Sequence, residues 1–311
     1  MDTLAVVFEE PERLALRRLG LTAPEPADVV VDILWSGIST GTERLLWLGR
    51  MPPFPGMGYP LVPGYESVGR IASAGRDSGR RKGEFVFVPG SRYFGDVRGL
   101  FGGAAARVVV PSERVLPIDE SLGEQAVLLA LAATAYHTMA DFPRPDLIVG
   151  HGVLGRLLAR LTLLKGCEPP VVWETNPLRA GNDAPYPVIH PGDDNRHDYV
   201  AIYDVSGDAT LLDSLIKRLR RGGEVVLAGF YSAPLSFNFP PAFLREARIR
   251  VAAEWSPSDL AAVRQLVETG RLSLDGLITH RADADDAADA YRTAFGDSAC
   301  LKMILDWRRC S

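Results

Sequence analysis

Apolar positions in the first part of the chain fall in short runs, at 3–8, 29–35, 68–74, 84–88 and 104–110, separated by Gly, Pro and charged residues. Runs of that length predict strands, and nothing before residue 117 carries sustained helical periodicity. Between two of them, residues 51–64 set Pro52, Pro53, Pro55, Pro60 and Pro63 among Gly56, Gly58 and Gly64, which excludes helix and predicts an ordered loop. This part reads as a compact, mostly antiparallel β domain.

The period changes near Ser121. Ser121 and Glu124 have the spacing of a capping box ahead of an apolar helix over 122–140. Beyond it the pattern predicts strand 146–149, helix 152–165, strands 170–174 and 199–204, helix 208–220, strands 224–229 and 248–254, and helix 257–269. Such alternation implies βαβ units and a doubly wound parallel sheet, so the fold class is α/β. A closing helix near 285–295 and a strand at 301–305 are expected to return to the first domain. The predicted division is 1–120 with 270–311 against 121–269. With 311 residues, the chain exceeds the ~250 at which one hydrophobic core usually stops growing, which suits two units.

One motif stands where its physics requires. Strand 146–149 runs into Gly150-His151-Gly152-Val153-Leu154-Gly155, a G-x-G-x-x-G opening a helix. In this setting the first glycine permits the tight turn, the second lets backbone approach a pyrophosphate, and the third packs the helix on the strand. The helix N-terminus supplies free N–H groups and a positive dipole end. Strand 170–174 ends at Glu174, at the distance expected of the acid that binds a ribose 2′-hydroxyl, which favours NAD over NADP. Arg179 nearby could meet a 2′-phosphate instead. Thr175, Asn176, Ser206 and Gly207, at the ends of neighbouring strands, complete the expected cofactor set.

Composition removes other classes. The formal charge is −5 and the basic residues do not cluster, so nucleic acid is not an expected partner. Cys167, Cys300 and Cys310 form no C-x-x-C pair and read as free thiols. The start of the chain lacks a basic n-region, and the longest nearly uncharged stretch, 126–140, falls short of the ~20 residues a spanning helix needs. A cytoplasmic protein without a transmembrane segment is expected. The oligomeric state stays open, a homodimer included.

The order of domains resembles the medium-chain dehydrogenase/reductase superfamily over nearly the whole chain. Ser36-Gly37-Ile38-Ser39 resembles its C-G-I-C stretch, Pro63-Gly64-Tyr65-Glu66 its P-G-H-E, and Thr134-Ala135-Tyr136-His137 its T-A-Y-H. The resemblance implies a GroES-like first domain and a Rossmann second domain. Where zinc-dependent members carry Cys, His and Cys, this chain has Ser39, Tyr65 and Ala130, and the region 89–111 lacks the cysteines of the structural zinc lobe. A zinc-independent member is expected. Longer runs, Ser36 through Glu43, Met51 through Glu66 and Leu272 through His280, resemble the bacteriochlorophyllide dehydrogenase family of bacteriochlorophyll biosynthesis. That resemblance implies NAD-dependent oxidation of a 3-(1-hydroxyethyl) group on a chlorin or bacteriochlorin to an acetyl group. A zinc-free quinone or enone reductase and a non-catalytic dinucleotide-binding module are the alternatives.

A flat tetrapyrrole needs a wide apolar cleft. Trp47, Met51, Phe54, Met57 and Tyr59 lie in or beside the proline-rich loop, and Tyr93, Phe94, Phe230 and Tyr231 in other expected loops, so these are the candidate substrate residues; core packing is the alternative for each. Without a metal, the alcohol proton must leave through side chains or water. Tyr65 and Glu66 are the first candidates, with Thr42 as a relay. Glu66 paired with an arginine beneath the site is an equal alternative. Thr40 and Glu43 have the spacing of a capping box. His151 is expected near the phosphates, and His137 reads as a core histidine.

Overall fold

The computed structural model describes residues 1–140, 142–181 and 184–310, in two compact units: Met1–Ala130 with Asp275–Ser311, and Leu131–Leu274. The architecture is mixed α/β, with antiparallel sheets in the first unit and a parallel Rossmann-type sheet in the second.

In the first unit, strand Asp28–Ile38 is the organiser. It pairs antiparallel with Ser67–Ala74 on one edge, and with Arg107–Pro111 and Met303–Asp306 along the other. Its apolar residues Val29, Val30, Val31 and Ile33 are buried. Met303 lies opposite Ile38 and Asp306 opposite Trp35, and the Trp307 indole donates to Ser36 Oγ at 2.8 Å. A second sheet is built on Asp2–Glu10, whose antiparallel partner Arg13–Gly20 is absent from the sequence prediction. Adjacent Arg17 and Arg18 break the alternation of that strand, and only Leu19 on it is buried.

The expected helix over 122–140 is two elements, a 3-10 segment Glu120–Leu128 and an α-helix Leu129–Met139. Ser121 does not cap it. Asp119 accepts from the Ser121 N–H at 2.8 Å, and Glu124 instead pairs with Arg281.

Among the described residues, the parallel sheet of the second unit has six strands in the order Val188–Ile189, Val171–Trp173, Leu147–Val149, Tyr199–Asp204, Leu219–Leu227, Arg248–Val251. Chain order reverses beside Leu147–Val149, whose neighbours are Val171–Trp173 and Tyr199–Asp204. Ligands of open parallel sheets bind at the carboxyl ends of strands at such a switch point. The helix Phe239–Arg245 was not foreseen from the sequence. Pro240 and Pro241 read as breakers but sit in its first turn, where no intrahelical N–H is lost. Phe239, Phe243 and Leu244 on it, and Val251 on the edge strand, are well exposed.

Candidate active site

Leu147–Val149 ends directly in the fingerprint turn. Gly150 has φ of +107°, in the left-handed region, and Gly155 lies so close to the turn that a Cβ there would stand 2.0 Å from the Gly150 carbonyl oxygen. Gly152 caps helix Val153–Leu164, and Leu157, Leu158 and Leu161 bury its inner face. The N–H groups of this first turn are the surface on which a pyrophosphate would rest.

Glu174 lies just beyond Trp173, the last residue of its strand. One carboxylate oxygen accepts from the Thr175 and Asn176 N–H groups, both at 2.8 Å, and the other from the His151 N–H at 3.1 Å. The acid is thus fixed against the fingerprint loop. Asn176 caps the short helix Pro177–Ala180 through the Leu178 N–H.

On the other side of Leu147–Val149, Ser206 donates from both Oγ and N–H to Asp204, at 2.6 and 2.9 Å. Asp204 is buried, and desolvation pushes its carboxyl above the ordinary range. Sequence reasoning passed over this residue. The signal was present, since a carboxylate ends an apolar strand directly before a Ser-Gly turn. Gly207 follows at φ of +72°.

The first unit holds a buried polar cluster. Gly37 N–H bonds the Glu66 carbonyl at 2.7 Å, and a Cβ on Gly37 would stand 2.4 Å from Glu66 Oε2. Glycine there makes room for the carboxylate. The alternative of an ion pair applies, with a lysine in place of the arginine. Lys302 Nζ lies 2.5 Å from Glu66 Oε2 and 3.2 Å from the Ile38 carbonyl, and both side chains are almost wholly excluded from solvent. Glu66 Oε1 is buried and takes no hydrogen bond among the described residues.

Tyr65, next in the chain, is half-buried; its hydroxyl lies 2.8 Å from Ser39 Oγ and also meets the Thr42 side chain. Its ring meets Phe101 edge-on at 5.6 Å. Burial first, and then the Glu66 charge, push the phenol well above its ordinary pKa. Tyr65 therefore stays protonated at neutral pH.

The Thr40–Glu43 capping box is also corrected. Gly41 caps helix Thr42–Trp47 without any side-chain bond. Glu43 points inward, accepting from the Ser39 N–H at 3.0 Å and from the Tyr291 hydroxyl at 2.7 Å. Desolvation raises its carboxyl from 4.5 to about 7, against the lowering effect of those two hydrogen bonds. The capping-box spacing is present without the role, because Tyr291 is distant in the chain and no local pattern announces it.

The aromatic candidates separate. Phe94 and Met51 are core residues, 2% and 7% exposed, which removes them from any open cleft. Trp47, Phe54, Met57, Tyr59 and Tyr93 are partly buried and pack on the core of the first unit. Trp47 meets Phe8 edge-on at 5.4 Å, and the Tyr59 hydroxyl donates to the Leu46 carbonyl. Phe230 belongs to the second unit and is half-exposed, while the Tyr231 hydroxyl donates to the Asp204 carbonyl at 3.3 Å.

His137 pairs with Asp259 at 2.8 Å.

Zinc takes thiolate, imidazole or carboxylate ligands. Ser39 offers a hydroxyl, Tyr65 a protonated phenol and Ala130 a methyl, while Glu66 has one oxygen committed to Lys302. This donor set does not fit the ion.

A GroES-like unit, a Rossmann unit and a buried hydroxyl and carboxylate cluster define a medium-chain alcohol dehydrogenase, an oxidoreductase acting on CH–OH. Residues 25–120 match the alcohol dehydrogenase GroES-like domain. Alcohol dehydrogenase TADH from Thermus sp. ATN1 superposes with a TM-score of 0.81 at 23% identity, covering 98% of this chain and 99% of the other. Acetophenone reductase from Geotrichum candidum, in complex with NAD, does so at 0.81 and 18%, covering 98% and 97%. The 2-desacetyl-2-hydroxyethyl bacteriochlorophyllide A dehydrogenase of Rhodobacter capsulatus is 58% identical over 311 residues, 99% of both chains, and that of Cereibacter sphaeroides 57% identical over 315 residues, again 99% of both. The chain belongs to this family of bacteriochlorophyllide dehydrogenases.

Proposed function

We propose that the protein oxidises the C3 1-hydroxyethyl group of a chlorophyllide or bacteriochlorophyllide to an acetyl group, with NAD as hydride acceptor and without zinc. The observation that supports the metal-free part is the donor set, in which Ser39 offers a hydroxyl, Tyr65 a phenol held protonated by burial and Ala130 a methyl. Nicotinamide, when bound, accepts the hydride from the carbinol carbon. Gly150, Gly152, Val153, Leu154 and Gly155 would hold its pyrophosphate, Glu174, Thr175 and Asn176 the adenosine ribose, and Ser206 and Gly207 the far edge of that cleft. Glu174 selects NAD, since a 2′-phosphate would be repelled by its carboxylate.

The side chains of the first unit handle the proton. Tyr65, Ser39 and Thr42 offer a ring of hydroxyls to the substrate oxygen. As the carbinol C–H bond breaks and C=O forms, the hydroxyl proton enters that ring and reaches Glu66 Oε1, which accepts no hydrogen bond from the described residues, by way of a water. Glu43 sets the charge of the cluster: burial raises its own carboxyl to about 7, and the Glu66 charge adds to that rise. Trp47, Phe54, Met57, Tyr59 and Tyr93 are the candidate walls for the pigment. A homodimer formed along the exposed edge of Arg248–Val251 fits the apolar residues bared there.

Purified enzyme incubated with NAD and 3-(1-hydroxyethyl) bacteriochlorophyllide is expected to yield NADH and the acetyl pigment in equal amounts. Turnover of small quinones with NADPH, and none of the pigment, would replace this reading with that of a quinone reductase.

A further inference from the structure

His151, between the first two glycines of the fingerprint, spends its hydrogen-bonding groups on protein rather than on solvent. Its side chain is wholly buried. Nδ1 lies 2.7 Å from the Arg179 carbonyl oxygen, which can only accept, so Nδ1 carries the proton. Nε2 therefore accepts from the Tyr186 hydroxyl at 3.0 Å, and the two rings meet edge-on at 5.7 Å. The His151 N–H donates to Glu174, and its carbonyl accepts from Arg156 Nε at 3.1 Å. Arg156 Nη2 reaches the same Arg179 carbonyl at 3.0 Å. One residue thus ties the pyrophosphate turn to the ribose acid and to the chain beyond it.

We propose that His151, as the neutral Nδ1–H tautomer, is the positioning residue that locks the fingerprint loop to Glu174, Arg179 and Tyr186, so that loop amides and ribose acid meet the adenosine half of the dinucleotide preformed. The proposal rests on the dinucleotide reading of this loop. Preformed sites bind more tightly because ordering is not deducted from the binding free energy. The charged and titratable groups facing the ring are Glu174, Arg156, Arg160 and Tyr186. Burial, with the nearby arginines, holds the imidazole below its ordinary pKa, although the Arg179 carbonyl and Glu174 act the other way. The ring is neutral at neutral pH. A protonated ring must turn the Tyr186 hydroxyl from donor to acceptor and sets a buried positive charge beside Arg156 and Arg160, so acid loosens the lock.

The test is calorimetric titration of the full chain with ADP-ribose, which carries the adenosine, the pyrophosphate and no nicotinamide, between pH 5 and 8. Wild type is expected to bind at neutral pH and to weaken toward acid, approaching tenfold per pH unit below the His151 pKa. His151→Asn, which does not titrate, should bind about tenfold more weakly at neutral pH and lack that acid limb. Tyr186→Phe, which removes only a hydroxyl, should weaken ADP-ribose severalfold. Wild-type affinity in Tyr186→Phe, or a wild-type acid limb in His151→Asn, overturns the proposal. Failure of wild type itself to bind ADP-ribose overturns the dinucleotide reading, and this proposal with it.

Discussion

Glu66 and Lys302 form a buried ion pair, and removal of either half leaves the other as an uncompensated buried charge. Lys302→Met leaves an uncompensated carboxylate and should cost about 3–5 kcal/mol, read from urea unfolding. Glu66→Gln keeps the shape and a hydrogen-bonding group, so its larger effect should fall on kcat, a loss of roughly 10²–10⁴ if it is the proton acceptor. A double variant that regains stability but not turnover would separate the two roles; full activity in Glu66→Gln would remove Glu66 from the chemistry. Tyr65 follows a different logic. Its phenol holds its proton, so Tyr65→Phe should impair positioning of the substrate oxygen without shifting the pH profile.

Glu43 acts at the scale of its element, joining the start of helix Thr42–Trp47 to Tyr291 on helix Ala287–Gly296. Its folded pKa, about 7, lies above the ordinary 4.5, so the folded state binds the proton more tightly than the unfolded chain does. The stability this proton brings is complete below 4.5 and is lost as pH rises through 7, on the order of 3 kcal/mol in all. Glu43→Gln should flatten that slope in denaturant melts at several pH values. The same group predicts kcat/KM rising with pH through about 7 in wild type and no such limb in the variant.

Gly155→Ala tests the second unit. Its Cβ would meet the Gly150 carbonyl, so the helix must shift and dinucleotide affinity should fall at least tenfold, measured as the Kd for NADH. Elements with strong local signals were legible in the sequence. Strand Tyr199–Asp204 falls at 199–204 as expected, and helix Val153–Leu164 within a residue at each end, because an apolar run and a glycine turn fix both locally. What escaped depends on distant partners: the edge strand Arg13–Gly20, the helix begun by two prolines, and the inward turn of Glu43 toward Tyr291. The aromatic candidates show the same limit, since composition could not tell buried Phe94 from half-exposed Phe230.

At the scale of the molecule, each unit brings a distinct half of the proposed chemistry. The second offers a turn, a helix N-terminus and a fixed acid suited to a dinucleotide. The first offers a buried cluster of hydroxyls and carboxylates, and closes its main sheet with Met303–Asp306. Among the described residues no helix is long and apolar enough to cross a membrane.

The central claim is hydride transfer from the hydroxyethyl carbon to NAD with no metal taking part. It is tested most directly with chelator-treated enzyme and pigment bearing deuterium on the carbinol carbon. Deuterium is expected in the NADH recovered, with an acetyl product in equal amount and a rate that added zinc does not change. Deuterium absent from NADH, or activity that returns only with zinc, would contradict it.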